Sequence, residues 1–203
     1  MDQSDANGKD WRFIGHWHFG IGHSRMSRRV HIVGRKNSGK TTLVCELVRE
    51  FTARGLKVAT VKHTHHHHEL DTPGKDSHKH REAGAAAVGI LSPHMTALFI
   101  PTEREQRGES RYGQFEVQFS DCDLILVEGD LQASAPRIEV WRSVSGESPY
   151  ASNDSGIVAV VSNDAPRGLK CAVWSRQDVG RIADNILNGR TLQTVPRLAP
   201  TET

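Results

Sequence analysis

A three-layer α/β fold with a mostly parallel central sheet is what this sequence predicts, and three observations carry the prediction. Apolar, β-branched runs alternate with segments of helical spacing along most of the chain, the pattern of strands joined by helical crossovers. The run Leu124-Ile125-Leu126-Val127 is apolar at every position, as expected for a strand covered on both faces. Gly34-Arg35-Lys36-Asn37-Ser38-Gly39-Lys40-Thr41 fits GxxxxGK[ST], the pattern of a phosphate-binding loop or P-loop, so the expected class is P-loop NTPase-like.

The loop pattern has a physical basis. Backbone N–H groups curl round a di- or triphosphate only where glycine permits it, and Gly34 and Gly39 supply that freedom. Lys40 then reaches the β and γ phosphates, and the Thr41 hydroxyl completes the shell of a magnesium ion. Glycine is common enough that the bare pattern arises by chance in on the order of one chain in a hundred of this length, so the flanking residues must decide. Val30, Ile32 and Val33 form a strand-like run into Gly34. Leu43, Val44, Leu47, Val48 and Phe51 then mark one helical face, and Gly55 ends it. Strand, loop and helix in this order aim a helix N-terminus at the phosphates.

The remaining elements follow in order. Residues 56–61 (LKVATV) read as a second strand, followed by a polar, histidine-crowded segment, 63–80. Residues 77–87 read as a short helix capped by Ser77 or Asp76. Residues 88–91 and 96–100 are strands split by Ser92-Pro93, and 103–111 is a charged loop. Residues 112–119 fit both helical and strand periods; helix is preferred because a strand follows at once and parallel strands need a crossover. The strand 124–127 comes next, then strands at 138–141 and 157–161, and a closing helix over 178–187 whose apolar face is Val179, Ile182, Ala183 and Ile186.

With 203 residues and a formal charge of +2, the chain is sized for one domain, and its charge gives no argument for a nucleic-acid or membrane partner. No apolar run approaches the ~20 residues of a membrane span. Residues 1–27 carry aromatics and histidines without period and are expected to be a disordered extension. The nucleotide-binding domain is expected over 28–189 and a loose tail over 190–203. Met26, just before the first strand, is a candidate natural start. Cys45, Cys122 and Cys171 are scattered and read as buried thiols of a reducing cytoplasm.

Four further features bear on chemistry. Glu128 directly follows the apolar run 124–127, where P-loop proteins keep the carboxylate that holds magnesium; Lys40 and Glu128 are thus the candidate catalytic pair and Thr41 and Glu128 the candidate metal ligands. Lys62-His63-Thr64-His65-His66-His67-His68 invites a metal reading, but adjacent histidines on a loop lack a rigid frame. Its place, one crossover beyond the phosphate loop, favours a phosphate- or partner-facing loop, with Lys62, Asp71, Lys75 and Asp76 as polar contacts. Asn163-Asp164 follows a strand; its carboxylate fits either guanine N1 and N2 or an ordinary turn before Pro166. Arg35, inside the loop, is either a solvated side chain or an arginine acting across a dimer.

GRKNSGKTTL, VKHTHHHHELDTPGKDSHKHREAGA and DLILVEG, in this order and spacing, resemble the molybdopterin-guanine dinucleotide biosynthesis adapter proteins, the MobB family, from about residue 30 to about residue 188. The resemblance implies a GTP-binding protein with weak hydrolysis, a homodimer, and a partnership with the guanylyltransferase that joins GMP to molybdopterin. By that resemblance Gly34, Arg35, Lys36, Asn37, Ser38, Gly39, Lys40, Thr41 and Thr42 bind the triphosphate, Thr41 holds Mg2+, and residues 62–77 lie near the nucleotide or the transferase. Two departures stand out. Gly129-Asp130-Leu131 replaces the usual Gly-Phe-Lys, and the four successive histidines exceed the usual pattern.

The expectation is a cytoplasmic GTP-binding adapter whose hydrolysis, if any, is slow, because no water-orienting glutamine or arginine finger is identifiable. The rivals are a nickel or zinc metallochaperone GTPase, suggested by the histidines, and a small-molecule kinase, for which no lid is evident.

Overall fold

The computed structural model describes residues 28–64, 69–102 and 108–188. The expectations for the two termini, for the histidines at 65–68 and for 103–107 lie outside the described residues. Strand β1 (Arg28–Val33) runs into the phosphate loop, which opens helix α1 (Lys40–Ala53). Then come β2 (Val58–Lys62), α2 (Asp76–Glu82), β3 (Val88–Leu91), β4 (Thr96–Phe99), α3 (Gly113–Gln118), β5 (Leu124–Glu128), β6 (Arg137–Val140), β7 (Ile157–Ser162), β8 (Ala172–Ser175) and α4 (Val179–Asn188). Six strands form one sheet in the order β2-β5-β1-β6-β7-β8, and every pairing in it is parallel. β3 and β4 make a separate antiparallel hairpin. The expected mostly parallel α/β architecture is the observed one.

Parallel pairing brings the C-terminal ends of all six strands to one edge, and that edge carries the site. One sheet face is closed by α1 and α4. Leu43, Leu47 and Phe51 of α1 and Ile182, Ala183 and Ile186 of α4 share a core with Val30, Ile32, Leu124, Leu126, Ile138 and Val161. The helices are also tied by Arg54, which pairs with Glu50 and Asp184 at 2.7 and 2.6 Å. α1 stops where expected: Gly55, at φ 81°, donates its N–H to Thr52 O, and Leu56 N–H reaches back to Phe51 O.

The opposite face is closed differently. Over β2 and β5, the α3 side supplies an apolar cluster in which Ala59, Val61, Ile125 and Val127 meet Tyr112, Phe115 and Phe119. Over β1 and β6 the alternation of a strand puts Arg29, His31, Arg137 and Glu139 on this face. His31 and Glu139 are fully buried and Arg29 nearly so. The centre of the sheet is therefore apolar on one face and built of charged groups on the other. Asp123 at the start of β5 accepts Lys57 N–H at 2.9 Å, pinning the register of β2 on β5.

Some details differ from the expectations. α2 begins at Asp76, behind an extended Lys75 with no side-chain cap, because the Ser77 hydroxyl donates instead to Asp71 Oδ1 (3.0 Å). It ends at Glu82, and Gly84 follows in left-handed backbone. β8 was not anticipated: it is a four-residue edge strand, mostly exposed, and its short apolar run Ala172-Val173-Trp174 is too brief to mark a strand by itself. The reading of the cysteines as buried is corrected. Cys45 is exposed on the outer side of α1, and Cys122 and Cys171 are half-buried. Apolar neighbours in a helix mark only one of its faces.

Phe51, fully buried where α1 meets the sheet, is the test of this core. Phe51→Ala is expected to destabilise the chain by about 3–5 kcal/mol, read as a lower urea midpoint with an unchanged slope.

Candidate functional site

β1 delivers the chain to Gly34 at the C-terminal edge of the sheet. Gly34 has φ 141°, and a Cβ there would collide with the Val140 carbonyl oxygen and stand 2.9 Å from Ser38 Oγ. Asn37 (φ 62°) and Gly39 (φ 98°) supply two further left-handed turns, and Ser38 N–H donates to Arg35 O at 3.2 Å, so the loop closes on itself. α1 starts at Lys40 with no side-chain cap and no acidic residue in its first turn, leaving its orphan N–H groups and the positive end of its dipole for an external anion. Ser38 is buried, with its hydroxyl oxygen unpartnered among the described residues. A polar atom held so at the mouth of a nest suits an oxyanion.

Lys40 Nζ donates to the carbonyl of Arg35 at 2.7 Å, folding its ammonium onto the loop. Burial holds this ammonium below the usual lysine range; Glu128 pulls it up and Lys62 pushes it down. A bound phosphate would offset that desolvation. The parallel register sets Glu128 of β5 beside Ile32 of β1 on one side and Lys62 of β2 on the other. Glu128 Oε1 accepts the Thr41 hydroxyl at 2.7 Å. Two neighbouring ligand oxygens of octahedral magnesium, each at ~2.1 Å, stand about 3 Å apart. The Thr41–Glu128 pair needs to widen by only a few tenths of an ångström to accept that ion, and its hard oxygen donors suit it.

Thus Gly34, Arg35, Lys36, Asn37, Ser38, Gly39, Lys40, Thr41 and Thr42 form one continuous loop and first helical turn with Glu128 at its rim. Asn163 and Asp164 stand at the same sheet edge, after β7, two strands from β1. Asp164 Oδ2 accepts Ser143 N–H at 2.6 Å, which holds its carboxyl below the usual range and ties down the β6–β7 loop. Asn163 is exposed.

Arg35 is half-buried and folded back onto its own chain. Its guanidinium lies over the Tyr150 ring, 4.4 Å from the centroid, and pairs with Glu147 at 2.6 Å. Tyr150 is in turn placed by Glu139, whose two oxygens accept the N–H groups of Tyr150 and Ala151 at 2.9 Å each. Burial raises the Glu139 carboxyl above the usual range, although these bonds oppose the rise. A cavity of about 410 Å³ opens between Arg35, Leu131, Tyr150 and Asn153. A second, of about 230 Å³, opens between Asn37, Ser38, Trp141 and Arg142. Residues 62–77 leave β2 beside Glu128, and within them Asp71 is buried and bonded to Thr72 N–H and Ser77.

The charged side of the sheet reaches this rim. His31 Nδ1–H donates to Gly129 O at 3.2 Å, and the ring meets Tyr112 edge-on. Arg29 lies over Tyr112 and pairs with Glu109 and Glu116. Tyr112 donates its hydroxyl to Asp130 at 2.6 Å, and Arg111 pairs with the same carboxylate. Sequence reading missed Glu139, Tyr150, Arg29, His31, Arg111 and Asp130. Signals were present for Arg29 and His31, which alternate with valine and isoleucine in a central strand, and for Asp130, which stood out only as an unusual residue after Glu128.

Comparison with known proteins adds the family. Residues 29–163 match the family described as molybdopterin guanine dinucleotide synthesis protein B. The molybdopterin-guanine dinucleotide biosynthesis adapter protein of Escherichia coli K12 is 35% identical over 150 residues, covering 74% of this chain and 86% of that one. Its namesake from Haemophilus influenzae is 32% identical over 157 residues, with 77% and 86% covered. Among solved structures, a MobB homologue from Bacillus stearothermophilus superposes with a TM-score of 0.58 at 25% identity, over 79% of this chain and 96% of that one. Among the described residues no helix is long and apolar enough to cross a membrane.

His31 makes the stability of this arrangement pH-dependent. Burial pushes its imidazole from 6.5 down to about 4, so between these values the unfolded chain binds a proton that the folded chain refuses. Its contribution is intact above pH 6.5 and is lost as pH falls toward 4, by roughly 3 kcal/mol at most. Urea unfolding from pH 7 to 4 is expected to show a shallower loss for His31→Gln than for the unsubstituted chain, whose carboxylates contribute equally to both.

Proposed function

Because the chain belongs to the molybdopterin guanine dinucleotide synthesis protein B family, we propose that it is a GTP-binding adapter that assists the guanylyltransferase joining GMP to molybdopterin. The observation that carries this reading is the uncapped N-terminus of α1, with Lys40 and the Thr41–Glu128 pair at its mouth. In this reading residues 34–42 grip the triphosphate and Lys40 leaves the Arg35 carbonyl to bind the β and γ oxygens. Thr41 and Glu128 would hold Mg2+, which neutralises phosphate charge when bound. Asn163 and Asp164 would recognise guanine, with Asp164 exchanging its bond to Ser143 for the base. In this reading residues 28–189 are the nucleotide-binding unit and the protein works in the cytoplasm.

Hydrolysis in this reading is slow. Arg35 is the arginine nearest the phosphates in sequence, and Tyr150 and Glu147 hold it, so transition-state charge would lack an arginine of the loop. Grip without rapid cleavage suits an adapter. The kinase and metallochaperone alternatives are not favoured, since the curated relatives quoted above carry the name of adapters.

A homodimer is supported by the β3–β4 hairpin. It pairs outside the main sheet and exposes Leu91 at 84% and Met95 at 74%, with Leu98 and Ile100 beside them. Apolar side chains clustered in this way mark an interaction surface.

Lys40→Ala is expected to weaken GTP binding at least about tenfold; calorimetry showing unchanged affinity would remove the central claim. Competition of GTP against ATP, with and without magnesium, tests base choice, with guanine expected to win and Asp164→Ala to narrow the gap. Leu91→Asp with Met95→Asp is expected to turn a dimer into a monomer in sedimentation velocity while GTP affinity persists.

A further inference from the structure

Glu128 is followed by two residues in left-handed backbone, Gly129 at φ 98° and Asp130 at φ 66°. Glycine adopts that conformation freely, whereas aspartate does so against a steric penalty. Gly129 is closely confined. A Cβ there would stand 3.0 Å from His63 O, its N–H donates to Ile32 O at 2.9 Å, and its carbonyl accepts from His31. Asp130 is only 4% exposed. Its carboxylate accepts the Tyr112 hydroxyl at 2.6 Å and Gln132 N–H at 3.1 Å, and pairs with the Arg111 guanidinium.

Arg111 and Tyr112 lie in the 3-10 turn Glu109–Tyr112, which Arg29 of β1 secures through Glu109. The chain thus leaves Glu128 through a strained turn whose far end is fastened by side-chain bonds to a separate element.

We propose that Asp130, held by Arg111 and Tyr112, is a positioning residue for the magnesium site. It fixes the turn that presents Glu128 to Thr41, and so sets how strongly Mg2+ tightens nucleotide binding. Asp130 itself is committed to protein partners and acts through Glu128. Without these bonds the left-handed turn relaxes, the Glu128 side chain is free to swing away from Thr41, and the two oxygens no longer stand together to receive the ion.

The inference rests on the magnesium–nucleotide reading above, and the experiment separates the two. GTP affinity of the full chain is measured by calorimetry in excess Mg2+ and in EDTA, for the unsubstituted protein and for Asp130→Asn, Asp130→Gly and Tyr112→Phe. The Mg2+-to-EDTA affinity ratio is expected to fall about tenfold in both Asp130 variants, with EDTA affinity held within about twofold. Tyr112→Phe, which removes one hydrogen bond and keeps the ring, is expected to lower the ratio by less, and it serves if the Asp130 variants do not fold. Asp130→Gly is diagnostic because it keeps left-handed freedom and loses the carboxylate. An unchanged ratio in that variant, or an equal loss with and without Mg2+, would overturn the proposal. Failure of the unsubstituted chain to bind GTP would instead remove the reading on which it rests.

Discussion

The approach of Gly34 to the Val140 carbonyl is the constraint on which the rest of the site depends. The end of β1 and the end of β6 come so close that no side chain fits between them. That contact turns the chain out of the sheet plane, starts the loop, and determines where α1 begins. The parallel sheet then sets where two polar groups of the site leave it: Glu128 by the pairing of β5 with β1, and Lys62 by the pairing of β2 with β5. A parallel sheet supplies this convergence because all its C-terminal ends lie along one edge. An antiparallel sheet of the same strands would scatter them to both ends.

The two faces of that sheet do different work. The α1/α4 face is a conventional apolar core and supplies most of the hydrophobic stabilisation. The other face, over β1 and β6, is closed by paired and hydrogen-bonded charges: Arg29 between two glutamates, Asp130 beneath Arg111, and Glu139 beneath backbone N–H groups. Buried pairs of this kind add little net stability, yet removing one partner costs about 3–5 kcal/mol. Their value here is geometric. They hold the loops after β5 and β6, which carry Asp130 and Tyr150 to the rim of the phosphate loop, in one arrangement.

Much of this was legible in the sequence, and for identifiable reasons. The glycines of the loop, the helical face of Leu43, Leu47 and Phe51, and the unbroken run 124–127 are local patterns whose meaning does not need distant residues. The edge strand β8 was not legible because an exposed four-residue strand carries no periodic signal. Asp164 was legible as a residue at the sheet edge, but its bond to Ser143 depends on how the β6–β7 loop folds back. Arg35 was open to two readings, and neither included its contact with Tyr150, which lies 115 residues away in sequence.

Local chemistry, then, is what the sequence determined by itself: a phosphate-binding loop between a strand and a helix, an acidic residue ending a buried strand, and the motif order of one family. Those features are short-range, set by backbone freedom and hydrophobic period. Tertiary structure alone decided which side chains hold the site in shape. Glu139 under Tyr150, Tyr150 under Arg35, and Arg111 with Tyr112 on Asp130 join segments far apart in the chain. No local pattern marks such partners, because a buried charge is tolerated only where the completed fold brings its counterpart to it.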